Sequence, residues 1–314
     1  MGQAAGKIVN WPEYNKGLVN NFRLDLWLDP QLARTWREEA REAGRGGRLR
    51  TYSPLSISFC CKFKELLGLS FRAAQGFLQG VFNLARVELP VPDYTTLCRR
   101  AAADLGARDV VSFVGCQDGY MAVVDSTGLK SRGMGEWLYK KHRPNSRRGW
   151  VKLHVLMDAD SGQVSAAMVS DDKAGDSECL PDLLAASPAR PGRLAGDGAY
   201  DDGRTRALCR KLGVEALVPP KRNAKLWMSP ERDRAIKHDR RKGRGSWKKS
   251  SGYHVWSNVE SFMGRFKKLF GAQVSCRSER GQIAQIMARL MCANGMARGA
   301  RPIRDKYCKL RQAA

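Results

Sequence analysis

The chain has 314 residues and carries 55 Lys+Arg against 31 Asp+Glu, a formal net charge of +24. Its 43% hydrophobic content suffices to bury real cores, which excludes a disordered basic tail, and at ~150 residues per domain there is room for two domains. So positive a chain attracts polyanions, because each neutralised phosphate releases condensed counterions, and nucleic acid is its default partner. No apolar run reaches the ~18 residues of a membrane span and no basic-then-apolar leader is read, so a cytoplasmic protein is expected. The nine cysteines lack metal-ligand spacing, and adjacent Cys60 and Cys61 are poorly placed to bond each other; all read as reduced thiols. Composition leaves an enzyme and a plain nucleic-acid-binding protein equally open.

Residues 1–105 read as a helical N-terminal DNA-binding domain. Leu24, Leu26, Trp27 and Leu28 give way at Asp29-Pro30 to Leu32 and Trp36, and Gly44-Arg45-Gly46-Gly47-Arg48 reads as a flexible basic joint. After Pro54 a helix carries Leu55, Ile57, Phe59, Phe63 and Leu66; Gly68 interrupts it, and Ser70 caps a second helix carrying Phe71, Ala74, Phe77, Leu78 and Val81. The pair has the outline of a helix-turn-helix, with Arg72 and Gln75 placed to enter a major groove, although glycine-linked helix pairs also occur in plain bundles. Pro90-Val91-Pro92-Asp93 breaks the pattern before a short basic helix over Tyr94 to Ala103.

A second domain, residues 106–314, opens with the strand Met121-Ala122-Val123-Val124, expected to end at Asp125-Ser126-Thr127-Gly128. Val151 to Val155 and Gln163 to Val169 read as a hairpin about the turn at Asp158 to Gly162. Asp176 to Ala186 reads as a helix capped by Ser177, then Arg193 to Ala195 as a strand, Gly203 to Leu212 as a helix and Val214 to Val218 as a strand. Strand, hairpin, helix, strand, helix, strand is the order of an α/β ribonuclease-H-like mixed sheet with flanking helices. In an open α/β sheet the ligand site forms at strand ends, where Asp125 and Asp197 fall. The stretch at about 219–252 is rich in Lys and Arg and poor in apolar periodicity, and reads as an extended phosphate-facing insertion, with Arg240, Arg241 and Arg244 as DNA contacts, or as a mobile solvated loop. Ile283, Ile286, Met287, Leu290 and Met291 recur at helical spacing, giving a last helix one packed face.

Cutting a phosphodiester requires activation of an attacking oxygen and stabilisation of a leaving one, work that two divalent cations held by carboxylates perform. Asp125, Asp197 and Glu260 are the best candidates. Each has a plain alternative: the aspartates could cap turns, and Glu260 could be a solvated helix acid. Their joint placement at element ends that this topology would gather favours a site.

At these residues the chain resembles the DDE transposases of bacterial insertion sequences, in particular the IS5 type. Asp125-Ser126-Thr127-Gly128-Leu129-Lys130 is similar to the segment around that family's first acid, and Gly196-Asp197-Gly198-Ala199-Tyr200-Asp201 to that around its second. Val218-Pro219-Pro220-Lys221-Arg222-Asn223-Ala224 is similar to the stretch after the next strand, and Leu89 to Leu97 to one ahead of the catalytic domain. The spacing of Tyr253, position 256, Glu260 and Lys267 matches the third motif, but Trp256 stands where the family has Arg. The resemblance covers roughly residues 50–300. It implies a ribonuclease-H-like core, two Mg²⁺ ions with Mn²⁺ as substitute, Asp125, Asp197 and Glu260 as catalytic metal ligands, and Tyr253 and Lys267 near the scissile phosphate. It also implies binding of terminal inverted repeats and of target DNA, strand cleavage and transfer, and a homo-oligomer that holds two ends. An Arg at 256 could fork onto a phosphate, which Trp cannot; an indole could stack on an unpaired base. Either Arg265 or Lys268 supplies the lost charge, or the copy is decayed and acts only as a DNA-binding protein. A nuclease of this fold acting without transposition is a further alternative.

Overall fold

The computed structural model describes residues 9–21, 23, 30–38, 51–113, 115–131, 149–226 and 229–297. The apolar run from Leu24 to Leu28, Asp29 and the Gly44 to Arg48 joint fall outside them.

Helices α1 (Trp11–Asn20) and α2 (Pro30–Arg34) precede α3 (Pro54–Leu66), α4 (Phe71–Leu84) and α5 (Tyr94–Arg100), the last running on as a π-helical turn over Ala101–Leu105. The starts of α3, α4 and α5 follow cap chemistry: Ser53 accepts from Ser56 N at 3.2 Å, Ser70 from Ala73 N at 3.2 Å and Asp93 from Thr95 N at 2.8 Å. Between α3 and α4 the chain turns at Gly68, whose φ of +65° suits a residue without Cβ. Trp36 fixes the helical core, stacking edge-on against Phe59 and Phe82 while its indole N–H donates to Pro90 O at 2.8 Å. The cluster of prolines at 90 and 92 is thereby tied to the core.

The sheet has the order β1-β4-β3-β2-β5-β6, formed by β1 (Val110–Ser112), β2 (Met121–Ser131), β3 (Trp150–Asp158), β4 (Val164–Asp171), β5 (Arg193–Ala195) and β6 (Glu215–Leu217). The first three pairings are antiparallel and β2-β5 and β5-β6 parallel, which is the ribonuclease-H-like arrangement of a hairpin-extended strand followed by two crossovers through α6 (Leu180–Ala186) and α7 (Gly203–Leu212). A short β7 (Gln273–Val274) pairs with the far end of β2. β1 and the two-residue β7 are not among the strands expected from the sequence.

Three expectations about the sheet, its first crossover helix and the insertion are corrected. β2 does not end at Asp125 but runs eleven residues through it, because Asp125 to Lys130 stay in register with β3. The helix expected from Asp176 starts at Leu180, with Pro181 in its first turn, and Cys179 rather than Ser177 occupies the cap position. The basic insertion is neither extended nor a mobile loop: α8 (Pro230–Lys242) and α9 (Arg244–Ser251) are helices. Ser229 caps α8 by accepting from Arg232 N at 3.3 Å, Glu231 and Asp233 sit in its first turn and Arg240, Arg241 and Lys242 in its last, which suits the helix dipole. Its inward face is Arg232 and Ile236, with Trp247 below on α9, too sparse an apolar set to show as periodicity.

α10 (Ser257–Phe270) lays Val259, Phe262, Met263 and Phe266 on one face of the sheet. α11 (Glu279–Ala297) has two packed faces, not one: Ile283, Ile286, Met287 and Leu290 enter the sheet core, and Ala284 and Ala288 the helical one. The N-terminal helices and the sheet thus share a helix. A buried charge cluster joins them too, since Glu65 of α3 accepts from Arg289 Nε at 2.8 Å and Gln285 Nε2 at 3.0 Å of α11. Among the described residues no helix is long and apolar enough to cross a membrane, and the eight described cysteines are all free.

Candidate active site

The pairing of β2 leaves a gap. β5 covers Met121 to Val123 and β7 covers Lys130 and Ser131, so on that side residues 124–129 have no ladder partner. A bare strand edge in mid-sheet is where groups from both sheet faces can meet. Alternation along β2 sends Asp125 to the face of Val123 and Leu129, covered by α10, and Ser126 to the face of Ala122 and Val124, covered by α6 and α7.

Asp197 stands just past the end of β5. Its carboxylate accepts from Ala199 N at 2.9 Å and so caps the 3₁₀ turn Gly198–Tyr200. The glycine before it is demanded by packing: a Cβ on Gly196 would lie 2.8 Å from the Tyr200 ring and 3.2 Å from Val124. Tyr200 is 1% exposed, so that ring cannot move aside. Glu260 lies in the first turn of α10, exposed, with Lys267 seven residues on and half-buried. Two helical turns return nearly to the starting direction, so Lys267 shares the Glu260 face, whereas Arg265 and Lys268 are exposed on other sides.

The structure brings Asp125, Asp197 and Glu260 into one electrostatic neighbourhood. Burial first, and then the like charges of Asp197, Asp176 and Glu260, raise the Asp125 pKa to about 6, against which a hydrogen bond from Ser126 N works. Among the described residues no three His, Cys, Asp or Glu side chains are gathered closely enough to hold a metal ion. The acids act on one another through charge without three of them closing a cage, and their like charge opposes closer approach. Hard carboxylate oxygens with an uncompensated surplus of negative charge fit Mg²⁺ or Mn²⁺ in donor chemistry.

Other expected contacts sit differently. Tyr253 is 3% exposed, wedged between Trp247 and Trp256 with Lys248 Nζ 5.2 Å from its ring centroid, so in this arrangement it does not reach the surface to touch a phosphate. Burial, followed by Asp197, Glu260 and Asp125, holds its phenol pKa far above 10. Trp256 stacks on Tyr253 at 5.8 Å and donates from Nε1 to Val124 O at 3.2 Å. It thus caps an open-edge carbonyl beside Asp125, and one indole face is already taken, which leaves less of the ring for an unpaired base. Gln75 is engaged through Oε1, which accepts from Tyr94 N at 2.8 Å at the start of α5. Arg72 lies over the Tyr94 ring at 4.5 Å and remains exposed. In the insertion Arg240 donates to Ala224 O at 3.0 Å and Arg244 to Pro220 O, while Arg241 is exposed.

Residues that sequence reasoning missed lie on the opposite face of β2. Asp176 is 2.7 Å from Lys152 Nζ and 3.6 Å from His154 Nδ1, and His154 pairs across the ladder with Ser126. The only signal was the polar alternation of Lys152 and His154 along β3, which read as a half-buried strand.

Two family profiles, each described as a transposase DDE domain, match residues 117–294 and 19–134. Among solved structures, the chain is 12% identical to the catalytic core domain of BIV integrase, covering 54% of this chain and 81% of that one at a TM-score of 0.25. It is 10% identical to the piggyBac transposase synaptic complex with hairpin DNA, over 95% and 77% of the two chains at 0.42. A simian T-cell lymphotropic virus intasome matches at 15% identity, over 58% and 57%, at 0.24. Such distant superpositions carry no weight beside the strand order. The first profile alone spans more than half of the chain, including Asp125, Asp197 and Glu260, and the chain belongs to the DDE transposase family.

Proposed function

We propose that this transposase binds the terminal inverted repeats of an insertion sequence, cleaves DNA at the element ends and joins the freed 3′ ends to target DNA. The observation that carries the reading is the group of like-charged carboxylates at the open edge of β2, in a chain whose net charge is +24. Acids that repel one another and DNA are tolerated in such a protein where a cation joins them.

Asp125, Asp197 and Glu260 would hold the divalent ions, Mg²⁺ with Mn²⁺ as substitute. Bound ions would supply activation of the attacking oxygen and stabilisation of the leaving one. Asp125 contributes a carboxylate fixed by the extended strand, Asp197 one fixed by its turn, and Glu260 an exposed one on a helix end that can adjust. Lys267 receives the phosphate on the Glu260 side; Arg265, Lys268, Arg241 and Arg72 track the backbone further out. Trp256 takes no phosphate and instead anchors the 3₁₀ turn Tyr253–Trp256 to β2. Two element ends are held by a homo-oligomer.

The test incubates purified protein with labelled end DNA, target plasmid and Mg²⁺ or Mn²⁺. Cleaved ends and joined products are expected, with Asp125→Ala, Asp197→Ala and Glu260→Ala each abolishing both while end binding persists. Binding without nicks in the unaltered protein would replace this reading by a DNA-binding protein alone, and nicks without joining by a nuclease.

A further inference from the structure

The face of the sheet opposite α10 holds a polar group that no motif accounts for. His154 is wholly buried. Its Nε2 lies 2.8 Å from Ser170 Oγ, and that hydroxyl spends its one proton on Asp171 O at 3.0 Å. Cys179 Sγ also lies 3.5 Å from Nε2, and in the tautomer that carries its proton on Nε2, donating to Ser170, Nδ1 presents a lone pair. Nδ1 has no hydrogen-bond partner and faces Asp176 Oδ1 at 3.6 Å. Two acceptors side by side call for a cation or donor between or beside them, and Lys152 Nζ fills that role from 2.7 Å, held also by Ala174 O at 3.1 Å. A second buried group points the same way: the Tyr200 hydroxyl has no partner, and Asp176, Asp125 and Asp197 all act on it. His154 pairs across the ladder with Ser126, the strand neighbour of Asp125, and the charge of Asp176 acts on Asp125 from there.

We propose that Asp176 is a fourth acid of the carboxylate site and that Lys152 is its built-in counter-ion, compensating it in the metal-free protein and competing with a divalent cation for it. The inference rests on the metal-site reading above. Asp176 adds negative charge where the site gathers it; the ammonium of Lys152 keeps that charge from forcing the acids apart before a metal arrives. Consistently, Lys152 and Ser126 hold the Asp176 carboxyl ionised against the effect of its burial.

Opposite signs at the two positions distinguish this from a purely structural pair. Mn²⁺ is titrated calorimetrically into the full chain without DNA, with circular dichroism and melting curves as folding checks. Asp176→Asn should weaken Mn²⁺ binding about tenfold, as loss of a residue supporting a metal site does, and Asp176→Glu should restore most of it. Lys152→Gln should tighten binding by roughly threefold, since a competing charge is gone. Unchanged affinity in Asp176→Asn, or weakening in Lys152→Gln equal to that in Asp176→Asn, overturns the inference. If Asp125→Asn abolishes Mn²⁺ binding while Asp176→Asn leaves it intact, only this inference falls. If the unaltered chain binds no Mn²⁺, the metal-site reading falls and takes the fourth acid with it.

Discussion

Asp125 and Asp201 are both partly or wholly withdrawn from water, yet they are treated in opposite ways. Asp201 is 4% exposed and saturated: Arg232 reaches it through Nε and Nη2 at 2.9 Å each, Arg206 Nη2 at 2.9 Å and Lys221 N at 3.0 Å. Those partners hold its pKa below the usual range against the effect of burial. Asp125 receives one backbone N–H and is surrounded by acids, and its pKa is driven up to about 6. Evenly matched charge builds structure: the Asp201 cluster pins the basic insertion to the core through α8. Charge left unmatched is a demand for something outside the chain.

Four measurements would break or sharpen that contrast. The largest effect is expected for Asp201→Ala, which strands two buried guanidinium groups and should cost about 3–5 kcal/mol in chemical denaturation; a loss under 1 kcal/mol would show that the cluster is not what holds the insertion. Asp125→Asn should go the other way and raise the melting temperature in EDTA. An acid whose folded pKa is raised destabilises the fold while ionised, so the gain should be full above about pH 6 and vanish as pH falls towards 3.8. A gain that grows on acidification contradicts the assignment. Trp256→Phe removes the donor to Val124 O and should cost about 1 kcal/mol, with a fall in cleavage because the turn ahead of Glu260 loosens; equal stability would mean that stacking on Tyr253 suffices. The smallest is Arg241→Ala, which should flatten the slope of log K against log salt by about one unit, while Arg240→Ala, whose guanidinium is engaged by Ala224 O, changes it less.

Local chemistry made much of the fold readable. Ser53, Ser70 and Asp93 mark helix starts because a side-chain oxygen before an apolar run has one low-energy use. The β3-β4 hairpin follows from alternation and from the Asp158 to Gly162 turn, where Asp158 accepts from Asp160 N and Ser161 N. The motifs around Asp125, Asp197 and Glu260 stood out by resemblance. What could not be read was whatever depended on distant partners. The insertion is pinned to the core because Arg232 reaches Asp201 thirty-one residues away, and Asp176 is held where β3 sets Lys152 and His154 beside it. That Gln75 turns its Oε1 to Tyr94 N of α5 likewise depends on packing.

By itself the sequence determined the charge that draws a polyanion, most of the order of strands and helices, and the motifs around three acids, since each rests on composition or on neighbours a few residues apart. Tertiary structure alone decided that β2 is left bare between β5 and β7, that Tyr253 is walled in by two tryptophans, and that a lysine and a fourth acid face each other behind the sheet. Those depend on which surfaces meet, and burial and electrostatics act on distances in space rather than along the chain.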